Sequence, residues 1–258
     1  MQPKSSLHDA LQIMRDLRAR CSWDAAQTHD SLRPYLIEET LELDDALKSG
    51  DDRAIAEELG DVLLQVLFHS VIAEERGAFD AGDVAHGLVT KMRERHPHLY
   101  GNGEKQPWEE LKARKRDSIT DGLPIDLPSL HRAHRLQDRA GGVGFDWPDT
   151  NGPLRKVAEE LDEVRAELAR SDGGAADQAP GSPGHAAIEA ELGDLLFSVV
   201  NLCRKAGVHA SLALDKANLK FSRRFTEVQR LAREHGREPH EMTLAELDAI
   251  WDSVKQVE

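Results

Sequence analysis

Two stretches of this chain set acidic residues into helix-period apolar sequence in the same order, and no other feature limits its fold as tightly. "YLIEETLEL" at 35–43 is followed by "ELGDVLLQVLF" at 58–68, and "VAEELDEV" at 157–164 is followed by "ELGDLLFSVV" at 191–200. On a helix, Glu38, Glu39 and Glu42 emerge from adjoining parts of one face, as do Glu159, Glu160 and Glu163. Glu58 and Asp61, and likewise Glu191 and Asp194, are neighbours three apart on the next helix. No run alternates convincingly with the period of two that a strand needs. The pattern predicts an all-α protein.

The repetition extends beyond the acids. "LHDA" at Leu7 is echoed by "LHRA" at Leu130, "CSWD" at 21–24 by "GFDW" at 144–147, and "KMRER" from Lys91 by "KFSRR" from Lys220. A conserved order at similar spacing reads as two tandem helical bundles of about four helices each, the product of an internal duplication. The expected boundaries are a first domain over 1–116, a linker over 117–128 whose Pro and Gly residues interrupt helix, and a second domain over 129–258. The second copy carries 12 more residues between its two acidic helices, within "ARSDGGAADQAPGSPGHA", which predicts a mobile loop over 171–185. Thr243 followed by Glu246 predicts a capped final helix running past Trp251.

Composition removes several classes of function. With 33 basic and 47 acidic residues the formal charge is −14, which repels nucleic-acid phosphates and anionic lipid. Cys21 and Cys203 are too few and too distant for a disulfide framework or a cysteine zinc site, and suit a reducing compartment. The N-terminal stretch lacks the apolar core of a secretory signal, and no apolar run approaches the ~20 residues of a membrane span. Cytoplasm is the expected location.

Like-charge neighbours on a helix are tolerable on a wet surface, so one EExxE alone reads first as a solvated face. The following helices argue otherwise. The segment after Glu58 is apolar on nearly every side through Ile72, and Glu191, Asp194, Ser198 and Asn201 form one polar line along an apolar helix. Carboxylates turned inward require a partner. Their oxygens suit a hard divalent ion, Mg²⁺ or Mn²⁺, which in turn favours phosphate oxygens. Helical di-iron sites use Glu-x-x-His, which is absent here, and His96 with His98 around Pro97 reads as a helix-ending turn. Lys91 with Arg95, and Lys220 with Arg224, each four apart, supply positive charge suited to phosphate. Lys156 projects near the second acid set, whereas the first copy has Tyr35 there.

Duplicated EExxE and ExxD motifs, with "CSWD" and "HPHLYG" around the first and "VGFDW" and "KFSRRF" around the second, resemble the MazG nucleoside triphosphate pyrophosphohydrolases over nearly the whole chain. The resemblance implies an all-α pyrophosphatase fold, a homodimer, and Mg²⁺-dependent hydrolysis of nucleoside triphosphates to monophosphate and diphosphate with broad base tolerance, a nucleotide-pool house-cleaning role. It implies metal ligands at Glu160, Glu163, Glu191 and Asp194, with Glu39, Glu42, Glu58 and Asp61 as first-copy equivalents. Glu159, Glu160 and Lys156 are the implied catalytic residues; Glu159 or the cation itself activates the water. Lys156, Glu159, Lys220, Arg224, Lys112 and Trp251 are the implied nucleotide contacts, with Glu38, Lys91 and Arg95 in the first copy. The competing expectations are a helical interaction protein with solvated acids, or an enzyme restricted to one base such as dUTP or dCTP.

Overall fold

The computed structural model describes residues 5–103, 116–171 and 181–257, all of whose regular structure is helical. The chain divides into two compact units, Met1–Lys105 and Gln106–Glu258.

In the first unit α1 (Leu7–Arg20), α2 (Ser22–Ala26), α3 (His29–Ser49), α4 (Asp52–Glu75), α5 (Ala81–Arg95) and α6 (Pro97–Tyr100) follow in order. Capping boxes at Ser6, Thr28 and Asp80 start α1, α3 and α5 by satisfying amides that have no partner within the helix. Gly50, at φ 72°, ends α3 in the left-handed conformation, and the side chain of Asp51 then caps α4. The result is a tight antiparallel hairpin. Its lower part is closed by Met14, Leu32, Leu67, Phe68, Val71 and Ile72, which join α1, α3 and α4 in one core. Truncating Phe68, 3% exposed, to alanine removes the largest ring in that core, at a cost of about 3–5 kcal/mol.

The second unit contains α7 (Ser129–Gly141), α8 (Asn151–Ser171), α9 (Pro183–Lys205), α10 (Ala210–Glu234), a 3₁₀ turn at Pro239–Glu241 and α11 (Leu244–Val257). The helices α8 and α9 repeat the α3–α4 pairing, and α7 packs on both α9 and α10. Val228, Ala232, Ile250 and Val254 form a second core between α10 and α11. The capping box before α11 is as the sequence predicts: Thr243 N–H donates to Glu246 Oε2 at 2.7 Å. That amide, then Arg237 and the Thr243 hydroxyl, hold the Glu246 carboxyl down at about 2. Residues 117–128 form turns fastened to α7, because Arg139 Nη1 donates to the carbonyls of Ile119 and Asp121, and Arg132 Nη1 to those of Pro124 and Ile125.

Burial of α4 and α9 is less complete than their apolar sequence suggests. The C-terminal half of α4 is buried, but Leu59, Leu64 and Val66, beside the acids, are exposed. On α9, Ser198 and Val200 are buried while Leu192, Leu196, Phe197 and Val199 are exposed. Each unit by itself leaves apolar surface along these helices.

Among the described residues, histidine rings lie against one another at three points, one of them His96 with His98, ring centroids 5.8 Å apart. His29 and His69 stack in the first unit, their Nδ1 atoms 2.8 Å apart, and His209 lies against both His131 and His134 in the second. Burial first, and neighbouring positive or histidine groups next, push His69 and His131 below the ordinary value of 6.5. Burial also lowers His134, although Asp138 opposes it. A lowered folded-state value means that these rings resist protonation only when folded. Their contribution is therefore present above pH 6.5 and is lost as pH falls below it. Thermal melts between neutral and mildly acidic pH should show a midpoint falling by a few degrees, and His134→Gln should flatten that decline. An identical pH profile for the variant contradicts the assignment.

Candidate metal and phosphate site

Glu39 and Asp61 each stand eleven residues from Gly50, so the α3–α4 hairpin brings them side by side about 16 Å from its turn. Glu58 is one turn away on α4. Glu39, Glu58 and Asp61, all half-buried, each offer a carboxylate oxygen, and these atoms lie within 4.8 Å of one another. Burial raises the Glu39 carboxyl above its ordinary range, followed by the charges of Asp61, Glu42, Glu58 and Glu38. Burial likewise raises Glu58, followed by Glu42, Asp61 and Glu57. Each charged neighbour acting on these two groups is itself acidic, so Glu38 and Glu42 deepen the negative field without joining the close trio.

In the second unit the trio is Glu160, Glu191 and Asp194, again within 4.8 Å, with Glu160 buried, Glu191 half-buried and Asp194 exposed. The longer connection does not disturb this arrangement. The helix α8 runs eleven residues beyond Glu160, α3 runs ten beyond Glu39, and most of the inserted residues fall between Ser171 and Pro183. Part of the predicted loop at 171–185 lies outside the described residues. Glu163 is raised by burial and then by Glu160, with Lys156 opposing, although much of its surface meets solvent. It thus borders the trio, as Glu42 does in the first unit.

The two sites differ in one cation. Lys156 Nζ lies 2.5 Å from Glu160 Oε1 and donates to Glu159 Oε1 at 2.9 Å. Glu160 and then Glu159 hold the Lys156 ammonium well above its ordinary range, so it stays charged throughout the neutral region. Glu159 is exposed and reaches the cluster through this lysine. At the equivalent position Tyr35 instead meets Trp23 edge-on, with ring centroids 6.5 Å apart.

Three oxygen donors of one charge, with two carboxyls in the first site and one beside the second already resisting ionisation, match the needs of a hard divalent cation. The basic residues expected to meet phosphate are placed as follows. The Arg224 guanidinium stands over the Trp251 ring at 5.9 Å, and Trp251 also packs on Phe221 at 5.3 Å. Lys220 is exposed one turn earlier on α10. An open cleft of about 1120 Å³ beside them has Arg223, Arg224, Glu227, Arg230, Leu231 and Val254 in its walls, and none of Glu159, Glu160, Glu163, Glu191 and Asp194 lines it. Lys91 and Arg95 end α5, where His96 Nδ1 meets the Met92 carbonyl. His96 therefore caps the helix end. Lys112 lies outside the described residues.

Sequence reasoning overlooked Asp146, which receives Arg204 and Lys205 from the end of α9. The available signal was the Asp of "GFDW" together with the basic pair at 204–205.

Comparison with known proteins agrees with this architecture. Residues 27–100 and 151–229 both match the MazG nucleotide pyrophosphohydrolase domain, one match per acidic helix pair. The chain is 41% identical over 256 residues to the nucleoside triphosphate pyrophosphohydrolase/pyrophosphatase MazG of Thermotoga maritima, covering 96% of this chain and 94% of that protein. It is 38% identical over 260 residues to the nucleoside triphosphate pyrophosphohydrolase of Escherichia coli K12, covering 96% and 95% respectively. A Bacillus subtilis protein, the uncharacterized YabN, is 38% identical over 259 residues, which span 95% of this chain and 51% of YabN.

Repulsion among the first-site carboxylates can be measured. Glu39→Gln should raise the melting midpoint of the metal-free protein by about 1–4 °C and reduce the further rise on adding MgCl₂. An unchanged response to magnesium argues against this trio as a cation site.

Proposed function

The chain belongs to the MazG nucleotide pyrophosphohydrolase family, and on that premise we propose that it is a Mg²⁺-dependent enzyme cleaving nucleoside triphosphates to monophosphate and diphosphate. The reading is carried by one observation: in both units an antiparallel helix pair turns three carboxylates toward one another within 4.8 Å. Burial of Glu160 and half-burial of Glu39, Glu58, Asp61 and Glu191 set these acids apart from a fully solvated face.

Glu160, Glu191 and Asp194 would hold the cation, with Glu163 completing the second-copy set, and Glu39, Glu58, Asp61 and Glu42 the first. The bound ion supplies positive charge to phosphoryl oxygens and acidifies water. Lys156 keeps an ammonium at the edge of the trio, where it orients Glu160 and Glu159 and meets the incoming phosphate chain. Glu159, exposed beside it, accepts a hydrogen bond from water directed at the α-phosphorus. Lys220 and Arg224 neutralise the outer phosphates. Arg224 over Trp251 offers a flat cationic and aromatic surface on which any base can stack, and stacking without edge-on hydrogen bonds supports broad base tolerance and a house-cleaning role.

The second copy is the stronger catalytic site, because the first has Tyr35 where Lys156 supplies charge. The exposed apolar residues along α4 and α9 support a homodimer, with a second copy covering the helices that carry the acids. Among the described residues no helix is long and apolar enough to cross a membrane. The charge of −14 fits a protein acting on free nucleotides rather than on nucleic acid.

Product analysis over several ribo- and deoxynucleoside triphosphates tests the proposal. Diphosphate should appear from all of them, and Glu163→Gln and Asp194→Asn should each reduce turnover by about 10²–10³-fold with the helical signal retained. Asp61→Asn should reduce it far less. Wild-type turnover by Glu163→Gln removes that residue from the reaction, and release of orthophosphate instead of diphosphate defeats the reading.

A further inference from the structure

The turn between α7 and α8 contains an ion pair that the proposed reaction leaves unused. Asp146 Oδ1 accepts from Arg204 Nη2 at 2.5 Å and from the Trp147 amide at 2.9 Å, while Oδ2 accepts from Arg204 Nη1 and Lys205 Nζ, both at 3.2 Å. The Arg204 guanidinium also donates to Asn201 Oδ1 at 2.9 Å. This cluster is sheltered: the side chains of Arg204, Lys205 and Asp146 are 12%, 17% and 23% exposed. Bidentate geometry at low exposure separates it from the many surface pairs that contribute little.

Its position gives it a purpose. Asp146 lies five residues before α8, and Arg204 lies ten residues beyond Asp194, about 15 Å along α9. Asn201 belongs to the same polar line as Glu191, Asp194 and Ser198, so one stripe of α9 carries the acids at one end and this clamp at the other. The adjoining turn is fitted just as closely. A Cβ on Gly152 would lie 2.4 Å from Trp147 Cδ2 and Cε3, so the indole rests directly on the first turn of α8. The helix α8 therefore enters at a set depth and rotation. Because side-chain direction turns about 100° per residue, a small rotation would carry Glu160 away from Glu191 and Asp194.

The first unit reaches the same end by different residues. From α1, Arg18 Nη1 donates to the carbonyls of Asp24 and Ala25 in α2 and of Gln27 just after it, and Nη2 pairs with Glu75 at the end of α4. The acidic group sits on the second acid-bearing helix there and in the turn here. In both units an ion pair thus anchors the chain leading into the first acidic helix against the end of the second.

We infer that Asp146 is a positioning residue: by gripping Arg204 and Lys205 it fixes the rotation and depth of α8 on α9 and so keeps Glu160 aligned with Glu191 and Asp194. This rests on the cation-site reading above. The test is Mn²⁺ binding followed by electron paramagnetic resonance on the full chain without nucleotide, in an Asp61→Asn background that leaves the second site as reporter. Asp146→Asn should weaken Mn²⁺ binding by about tenfold, as loss of a ligand-orienting partner does, with unchanged helical circular dichroism. Val228→Ala, a cavity in the α10–α11 core, should lower the melting midpoint without moving Mn²⁺ affinity, which separates positioning from general destabilisation. A folded Asp146→Asn protein with parental affinity overturns the inference alone. A parent that binds no Mn²⁺ overturns the cation site and the inference with it. Should Asp146→Asn not fold, Arg204→Lys, which keeps the charge and loses the fork, is judged by the same two affinity outcomes.

Discussion

Repulsion between carboxylates that packing forces together governs this molecule. Glu39, Glu58 and Asp61 in one unit, and Glu160, Glu191 and Asp194 in the other, are brought within 4.8 Å by the antiparallel pairing of two long helices. The pairing itself is driven by apolar burial elsewhere, at Met14, Leu32 and Phe68 for the first unit. The acids therefore consume stability that the core provides. The raised carboxyls of Glu39, Glu58 and Glu163 are the electrostatic record of that conflict. Their native state binds protons more tightly than the unfolded chain does, so their contribution to stability diminishes as pH rises through the folded values. A bound divalent cation would resolve the conflict at neutral pH and would thereby stabilise the fold.

The two copies treat the same conflict differently. Lys156 places an internal positive charge against Glu160 and Glu159, so the second site is partly neutralised before any ligand arrives. The first site has Tyr35 at that position and only acidic neighbours acting on Glu39 and Glu58. The two acid trios therefore differ by one fixed positive charge. The lengthened α8–α9 connection leaves the second trio intact, because added chain between paired helices costs little closure entropy when the helices themselves are held by their own contacts.

Those contacts include the junctions at the far ends of the helix pairs. Asp146 with Arg204 and Lys205 ties the turn entering α8 to the end of α9, and Arg18, from α1, links the carbonyls of Asp24, Ala25 and Gln27 to Glu75 at the end of α4. A hairpin joined only at its connecting turn can splay or rotate. A second fastening at the open end removes that freedom.

Much of this was legible in the residues. The helix period, the duplicated order of motifs and the capping box at Thr243 and Glu246 are local properties, set within one or two turns, and the structure bears them out. Local spacing also put Lys156 beside the acids. What spacing could not settle is rotation about the helix axis once two helices pack. It did not indicate that Glu39 and Glu160, rather than their neighbours Glu38 and Glu159 or Glu42 and Glu163, join the close trios. Nor did it show that Asp146 would find Arg204 across 58 residues, or that Leu64, Leu196 and Phe197 would face outward. Those outcomes depend on contacts between residues far apart in the chain, whose energies are settled only when every helix has found its neighbours.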